Sequence, residues 1–212
     1  MSLEIFAFVL GPISNNTYII RDSQTGEAAI IDPALGSQKV LAAVQKHGWN
    51  LSQIWITHAH IDHFTGINQI YAAYTPALPV GLHALDLPLY HNVDLNGARA
   101  FGFNLETPPE PTIFFEQGQI LSLGDSRLEV RFTPGHTPGH VVFYSPSDGV
   151  VFCGDVLFRG SVGRTDLFGG SHTQLMASIR ARILSLPAQT RLLSGHGEET
   201  TVGDEIRDNP FL

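Results

Sequence analysis

The sequence predicts an α/β fold in which two similar layered halves pack sheet to sheet, with helices on the outside. Three observations carry this expectation. Short β-branched and aromatic runs crowd the first third and lead into an amphipathic helix. Strand-like runs return after a proline-rich connector at 107–111. A second helical stretch then follows them, so strands precede helix twice over.

Taken in order, Ile5 to Leu10, Thr17 to Arg21 and Ala28 to Ile31 read as strands, with Asn15-Asn16 and Thr25-Gly26 as the turns between them. Ser37 to His47 reads as a helix, because Val40, Leu41 and Val44 share one face and Gly48 supplies a C-terminal stop. A strand ending at Thr57 follows, then a ligand-rich loop and a helix near Phe64 to Tyr74. Pro79 to Leu82 reads as a short strand. Ala84 to Phe103 reads as helix broken by Pro88 and Gly97. Beyond the connector, strands are expected at Thr112 to Phe115, Ile120 to Leu123, Arg127 to Phe132, His140 to Tyr144 and Val150 to Cys153. A helix from about Thr173 to Ser185 and a last strand at Arg191 to Ser194 complete the pattern. No internal repeat is strong enough to prove duplication.

Composition narrows the function classes. The formal net charge of -8 and the lack of any long Lys/Arg run argue against nucleic acid and anionic membrane as partners. A single cysteine, Cys153, allows no intramolecular disulfide and fits a reducing compartment. The N-terminus lacks a basic region before its apolar run, and no apolar stretch approaches the ~20 residues of a membrane span. A cytoplasmic location is expected, with no obligate protein partner.

Chemistry concentrates in Thr57-His58-Ala59-His60-Ile61-Asp62-His63. Neutral imidazoles and carboxylates are ligands of borderline divalent metals. At this spacing the four side chains cannot all face one point from a regular helix or strand, but on a tight loop they can turn inward together. A lone histidine is more often structural, and His47, His83 and His91 are given that reading. His136, Asp155 and His196 each follow an apolar strand with glycine beside them. Glycine permits a sharp turn and leaves room at a crowded centre. Together the candidates supply five histidines and two aspartates, enough for two metals. Cys153 is read as a buried strand residue rather than a ligand.

In that order His58, His60, Asp62, His63, His136, Asp155 and His196 resemble the ligand set of the metallo-β-lactamase superfamily, and the likeness runs over nearly the whole chain. It includes Asn16-Thr17-Tyr18 and Ile31-Asp32-Pro33. The segment Phe158 to Asp166 and the ending Asn209-Pro210-Phe211-Leu212 are similar to a short glyoxalase II group within it. The resemblance implies an α/β, αββα sandwich of two mixed sheets, with the site at the edge between them. It implies a first metal on His58, His60 and His136, a second on Asp62, His63 and His196, and Asp155 as the bridge. Two divalent ions are expected, zinc first, with iron or manganese as alternatives. Asp62 and Asp155 become the catalytic candidates. Asp62 has a second reading, as general base beside a single metal, which the complete second set disfavours. Asp32, His140, Arg164 and Asp166 are expected to support the ligands or the loops that carry them. His140 reads equally as a plain strand-start residue. A single domain over 1–212 is expected, without the separate helical C-terminal substrate region of longer glyoxalase II enzymes.

The implied reaction is thioester hydrolysis of S-D-lactoylglutathione or related acyl-thiols. A thiolate, whose acid has a pKa of about 8.5, leaves without needing a proton donor. An amide leaving group needs an acid that the sequence does not announce. Lacking the basic C-terminal region, the chain is expected to discriminate weakly among thiol carriers. A mononuclear iron persulfide dioxygenase is the main competing function, with lactonase and β-lactamase activities behind it. The acidic charge disfavours a nuclease, and the complete ligand set disfavours a non-catalytic protein.

Overall fold

Alternation along the strands sorts side chains into three apolar clusters, and these define the layers. The computed structural model describes residues 3–92, 95 and 108–212. A meander of β1 (Leu3–Leu10), β2 (Asn15–Asp22) and β3 (Glu27–Ile31) opens the chain. Helix α1 (Gln38–His47) carries it over to β4 (Asn50–Trp55), which lies parallel to β3. Helix α2 (Ile67–Ala73), β5 (Val80–Leu82), α3 (Leu87–His91) and β6 (Ile113–Phe114) finish this half, giving a sheet ordered β1-β2-β3-β4-β5-β6.

The second half repeats that plan. Strands β7 (Ile120–Leu123), β8 (Ser126–Phe132), β9 (Val141–Ser145) and β10 (Val150–Gly154) form an antiparallel meander. A small hairpin, β11 (Leu157–Phe158) and β12 (Ser161–Val162), and helix α4 (His172–Ser178) lead to β13 (Arg191–Ser194), parallel to β10. Strand β14 (Thr200–Thr201) and helix α5 (Val202–Asp208) follow, and the second sheet is ordered β14-β13-β10-β9-β8-β7. In each half a meander ends in a helical crossover to a parallel strand.

The period of two explains the sandwich. On β2 and β3, Tyr18, Ile20, Ala29 and Ile31 point to a cluster shared with Val130, Phe143 and Phe152 of the second sheet. Their neighbours Ile19, Ala28 and Ile30 join Val40, Leu41 and Val44 of α1 on the outer face. On β10, Val151 and Cys153 turn outward to Leu175 and Ile179. Both sheets are thus apolar on both faces, as helix-covered sheets require. Each fully buried large apolar side chain is worth about 1.5–3 kcal/mol. Among the described residues, no helix is long and apolar enough to cross a membrane.

Several elements depart from the sequence expectation. Asn15 and Asn16 begin β2, and the turn lies before them at residues 11–14. Contacts with the second sheet override their turn preference: the Asn16 backbone N–H donates to the Gly195 carbonyl at 2.6 Å, and its side-chain amide donates to Ser194 and Gly197 carbonyls. The strand before the ligand loop ends at Trp55, because Thr57 N–H pairs with Asp32 instead of a neighbouring strand. Pro88 does not break α3 but sits in its first turn, where a missing N–H costs nothing. The rest of that expected helix, with Gly97, lies outside the described residues. Helix α4 widens over Ile179–Ile183 into one π-helical turn. The β11–β12 hairpin, β14 and α5 were not expected. For α5 a signal existed: Thr201 caps it by accepting from the Asp204 N–H at 3.1 Å, the usual Thr-x-x-acid pattern.

Candidate metal centre

The seven candidate ligands converge at one edge of the sandwich, where strand ends of both sheets meet. His58, His60, Asp62 and His63 lie on the loop and single helical turn after β4. His136 comes from the loop between β8 and β9, Asp155 from the end of β10, and His196 from the end of β13. All are buried except His196, which is partly exposed. Among the described residues, two triads place ligand atoms within 4.8 Å of one another in the expected combinations, His58/His60/His136 and Asp62/His63/His196. Asp155 lies between them, with its carboxylate 3.6 Å from His136 Nε2, 3.5 Å from His63 Nε2 and 3.6 Å from His196 Nε2.

Hydrogen bonds at the far nitrogen orient four of the five rings. His58 Nδ1 meets the Thr57 hydroxyl at 3.0 Å, and that hydroxyl donates onward to Asp32. His63 Nδ1 donates to Asp32 Oδ2 at 2.9 Å, and His136 Nδ1 to the Arg164 carbonyl at 2.7 Å. His196 Nδ1 reaches the Ser14 carbonyl at 3.3 Å. These contacts fix the tautomer and leave Nε2, with its lone pair, for the centre. His60 instead turns Nδ1 inward, 2.8 Å from His136 Nε2.

This donor set fits divalent cations. Nε2 of His58 and His63 and Oδ1 of Asp155 are buried without a hydrogen-bond partner. An unpaired buried polar atom costs about 1–3 kcal/mol, so one centre with three of them calls for a cation among them. Electrostatics divides the two triads. Burial first, then the neighbouring imidazoles, holds His58 well below its ordinary pKa and His60 down at about 3. Burial likewise lowers His136. Burial also works against charge on His63, but Asp62, Asp155 and Asp32 outweigh it and raise that ring well above the ordinary value. His196 is raised too: burial opposes charge there, and the bond to Asp62 at 3.0 Å overcomes it. Burial would raise Asp62 and Asp155, but the surrounding histidines, His63 foremost, pull both below the carboxylate range.

A third grouping, Asp32/His58/His63, also satisfies ligand spacing. Both oxygens of Asp32 are already engaged, Oδ1 by Thr57 N–H at 2.7 Å and Oδ2 by the Thr57 hydroxyl and His63. Asp32 therefore buttresses the loop. It does so from a left-handed conformation, φ 51°. His140 acts from the other sheet: its Nε2 accepts the Asp155 N–H at 3.1 Å, and its Nδ1 pairs with the Thr133 hydroxyl at 3.0 Å. Arg164 and Asp166 do pair, through two bonds of 2.8 Å. Cys153 is fully buried and faces away in the outer cluster.

Sequence reasoning missed Asp86. Its buried carboxylate accepts from Ala59 N–H at 2.9 Å, the Thr137 hydroxyl at 2.7 Å and Gly139 N–H at 2.5 Å. One side chain thus ties the His58–His63 loop to the His136 loop. Burial pushes its pKa up to about 6 against those three donors.

Beside the centre opens a cavity of about 370 Å³. Ile13, Ile61, Phe158, Val162 and Leu167 form its apolar wall, with Asp62, Asp155 and site histidines at its base and Arg164 at the side.

Residues 10–196 match the model of the metallo-beta-lactamase superfamily, and the chain belongs to that superfamily. Hydroxyacylglutathione hydrolase GloC of Haemophilus influenzae is 34% identical over 100% of this chain and 98% of its own. The crystal structure of the BLEG-1 B3 metallo-beta-lactamase superposes with a TM-score of 0.92 at 36% identity, covering 99% of each chain. That of TTHA1623 in a di-iron-bound form gives a TM-score of 0.87 at 45% identity, covering 98% of this chain and 100% of the other.

Proposed function

We propose that the chain is a glyoxalase II-type thioesterase that cleaves S-D-lactoylglutathione and related acyl-thiols with two divalent metals. The observation that carries this reading is the Asp155 carboxylate shared between two triads. In it, His58, His60 and His136 would hold one ion, Asp62, His63 and His196 the other, and Asp155 both. When bound, such a pair supplies a water of lowered pKa and a Lewis acid for the carbonyl. The protein supplies the rest. Buried imidazoles and carboxylates fix the reacting geometry before substrate arrives, and the cavity beside Asp155 holds the acyl-thiol against it. Among the described lining residues there is no lysine, tyrosine or cysteine to protonate a poor leaving group. A thiolate needs none, which favours thioesters over amides.

Zinc is the metal we expect from the nitrogen-rich donor set, and the di-iron form of the 45% identical protein keeps iron in contention. The similarity to the Haemophilus protein supports the substrate class. One buried, unpaired cysteine supports a reducing, cytoplasmic setting. The test is a panel of thioesters, S-D-lactoylglutathione among them, with zinc-, iron- and manganese-loaded protein. Thioester turnover is expected. No turnover with any metal, together with oxygen uptake on glutathione persulfide, would transfer the assignment to the dioxygenase class.

A further inference from the structure

The wall of the cavity says more about substrate than the metal-ligand set does. Phe158 and Val162 come from the two strands of the hairpin that follows Asp155. Ile13 comes from the turn before β2, Ile61 from the ligand loop and Leu167 from the segment before α4. Four separate segments therefore each place a hydrocarbon side chain around one opening. Only Ile61 of the five is fully buried; the others are half-exposed, with apolar surface left to cover.

Arg164 is the one Lys or Arg among the described residues lining the cavity. Its guanidinium is engaged by Asp166, Nε to Oδ1 and a terminal nitrogen to Oδ2, each at 2.8 Å. The pair is neutral as a unit, and it stands on a chain of net charge -8. Glutathione carries two carboxylates, and removing them from water without cationic partners is unfavourable. Hydrocarbon beside the reacting carbonyl meets the opposite situation, because each methylene that enters covers apolar wall.

We propose that this cavity selects thioesters with uncharged hydrocarbon acyl groups over hydroxyacyl ones, and that Asp166, by holding Arg164, withholds the anchor an anionic thiol carrier would use. The proposal rests on the thioesterase reading and narrows it. Two buried methylenes are worth about tenfold in binding.

The test uses the metal-loaded protein and four thioesters: hexanoyl and lactoyl, each on glutathione and on uncharged N-acetylcysteamine. Each kcat/KM is divided by that compound's rate with hydroxide in solution. The hexanoyl compound should exceed the lactoyl one by about tenfold or more on either carrier. Phe158→Ser and Leu167→Ser, at two half-exposed positions, should each cut that ratio by about threefold. Asp166→Ala should raise the glutathione-to-N-acetylcysteamine ratio by about threefold, because the ion pair it removes is solvent-exposed. Calorimetry with non-hydrolysable S-hexyl and S-(2-hydroxypropyl) thioethers of N-acetylcysteamine reads the same preference without turnover, and the hexyl compound should bind more tightly. Thioester hydrolysis with equal or reversed acyl ratios, or ratios unmoved in both wall variants, overturns the proposal. Hexyl-selective binding without thioester hydrolysis overturns the thioesterase reading and leaves the apolar selectivity standing. Neither hydrolysis nor hexyl selectivity overturns both.

Discussion

His63 Nδ1 lies 2.9 Å from Asp32 Oδ2, and both side chains are buried. The same oxygen accepts the Thr57 hydroxyl, which in turn meets His58 Nδ1. One carboxylate thus aims a histidine of each triad. Asp32→Asn should preserve the volume but lose an anionic acceptor. Metal affinity should fall about 10- to 100-fold, with the Asp62/His63/His196 triad losing its ion first. Elemental analysis after dialysis against graded chelator checks this; two equivalents retained as in the parent would remove Asp32 from the role.

The Asp155 carboxylate lies within 3.6 Å of His136 in one triad and of His63 and His196 in the other. Asp155→Ala should lose metal and lower kcat/KM by about a hundredfold or more, while far-UV circular dichroism stays unchanged. A variant that keeps two metals and near-parent turnover would show that the carboxylate does not bridge.

Asp86 makes a prediction about two loops at once. Asp86→Ala strands the Ala59 and Gly139 amides and the Thr137 hydroxyl, and should cost about 3 kcal/mol or more, read as a lower denaturant midpoint. The acid dependence has a definite sign. The folded pKa, about 6, lies above the ordinary value near 3.9, so this group's contribution to stability is complete below about pH 4. It is lost as pH rises through about 6. Asp86→Asn should therefore flatten the stability profile across that window, and an unchanged profile would contradict the shift.

Asp22 runs the other way. Burial would raise its carboxyl, but the Ser126 hydroxyl at 2.6 Å, the Thr25 amide and hydroxyl and the Gln24 amide pull it below the carboxylate range. Its stabilisation is present above about pH 4 and is lost as pH falls through the depressed folded value. Ser126→Ala should cost about 1.5–3 kcal/mol at neutral pH and progressively less toward acid. Urea titrations at neutral and acid pH on both proteins supply the difference; a pH-independent difference would refute it.

The site was legible because chemistry and local geometry coincide in it. His58 to His63 fall within one short segment, and glycine marks the other ligand turns. Gly154 adopts φ 47°, and a Cβ at Gly195 would run into Asp155 Oδ1 and His63 Cε1, which is the crowding that glycine relieves. The layered fold was legible from strand alternation for the same local reason. Asp86 was not, because its three partners lie 27, 51 and 53 residues away and nothing near it in the chain signals them. Asn16 misled for a related reason: its partners Ser194, Gly195 and Gly197 lie on β13 and the loop after it, in the other half. Local propensity cannot register a contact made across the sandwich.

The two triads divide between the halves in the same ratio. Each takes two members from the loop after β4 and one from the second sheet: His58 and His60 with His136, Asp62 and His63 with His196. Neither half owns a complete set. An ion held at either triad is therefore a rivet through the seam, and its binding free energy is also docking free energy for the two sheets. Slippage between the sheets, even when provoked far from the centre, would register there as leakage of metal. In such a molecule the ion inventory doubles as a gauge of how firmly the halves are closed.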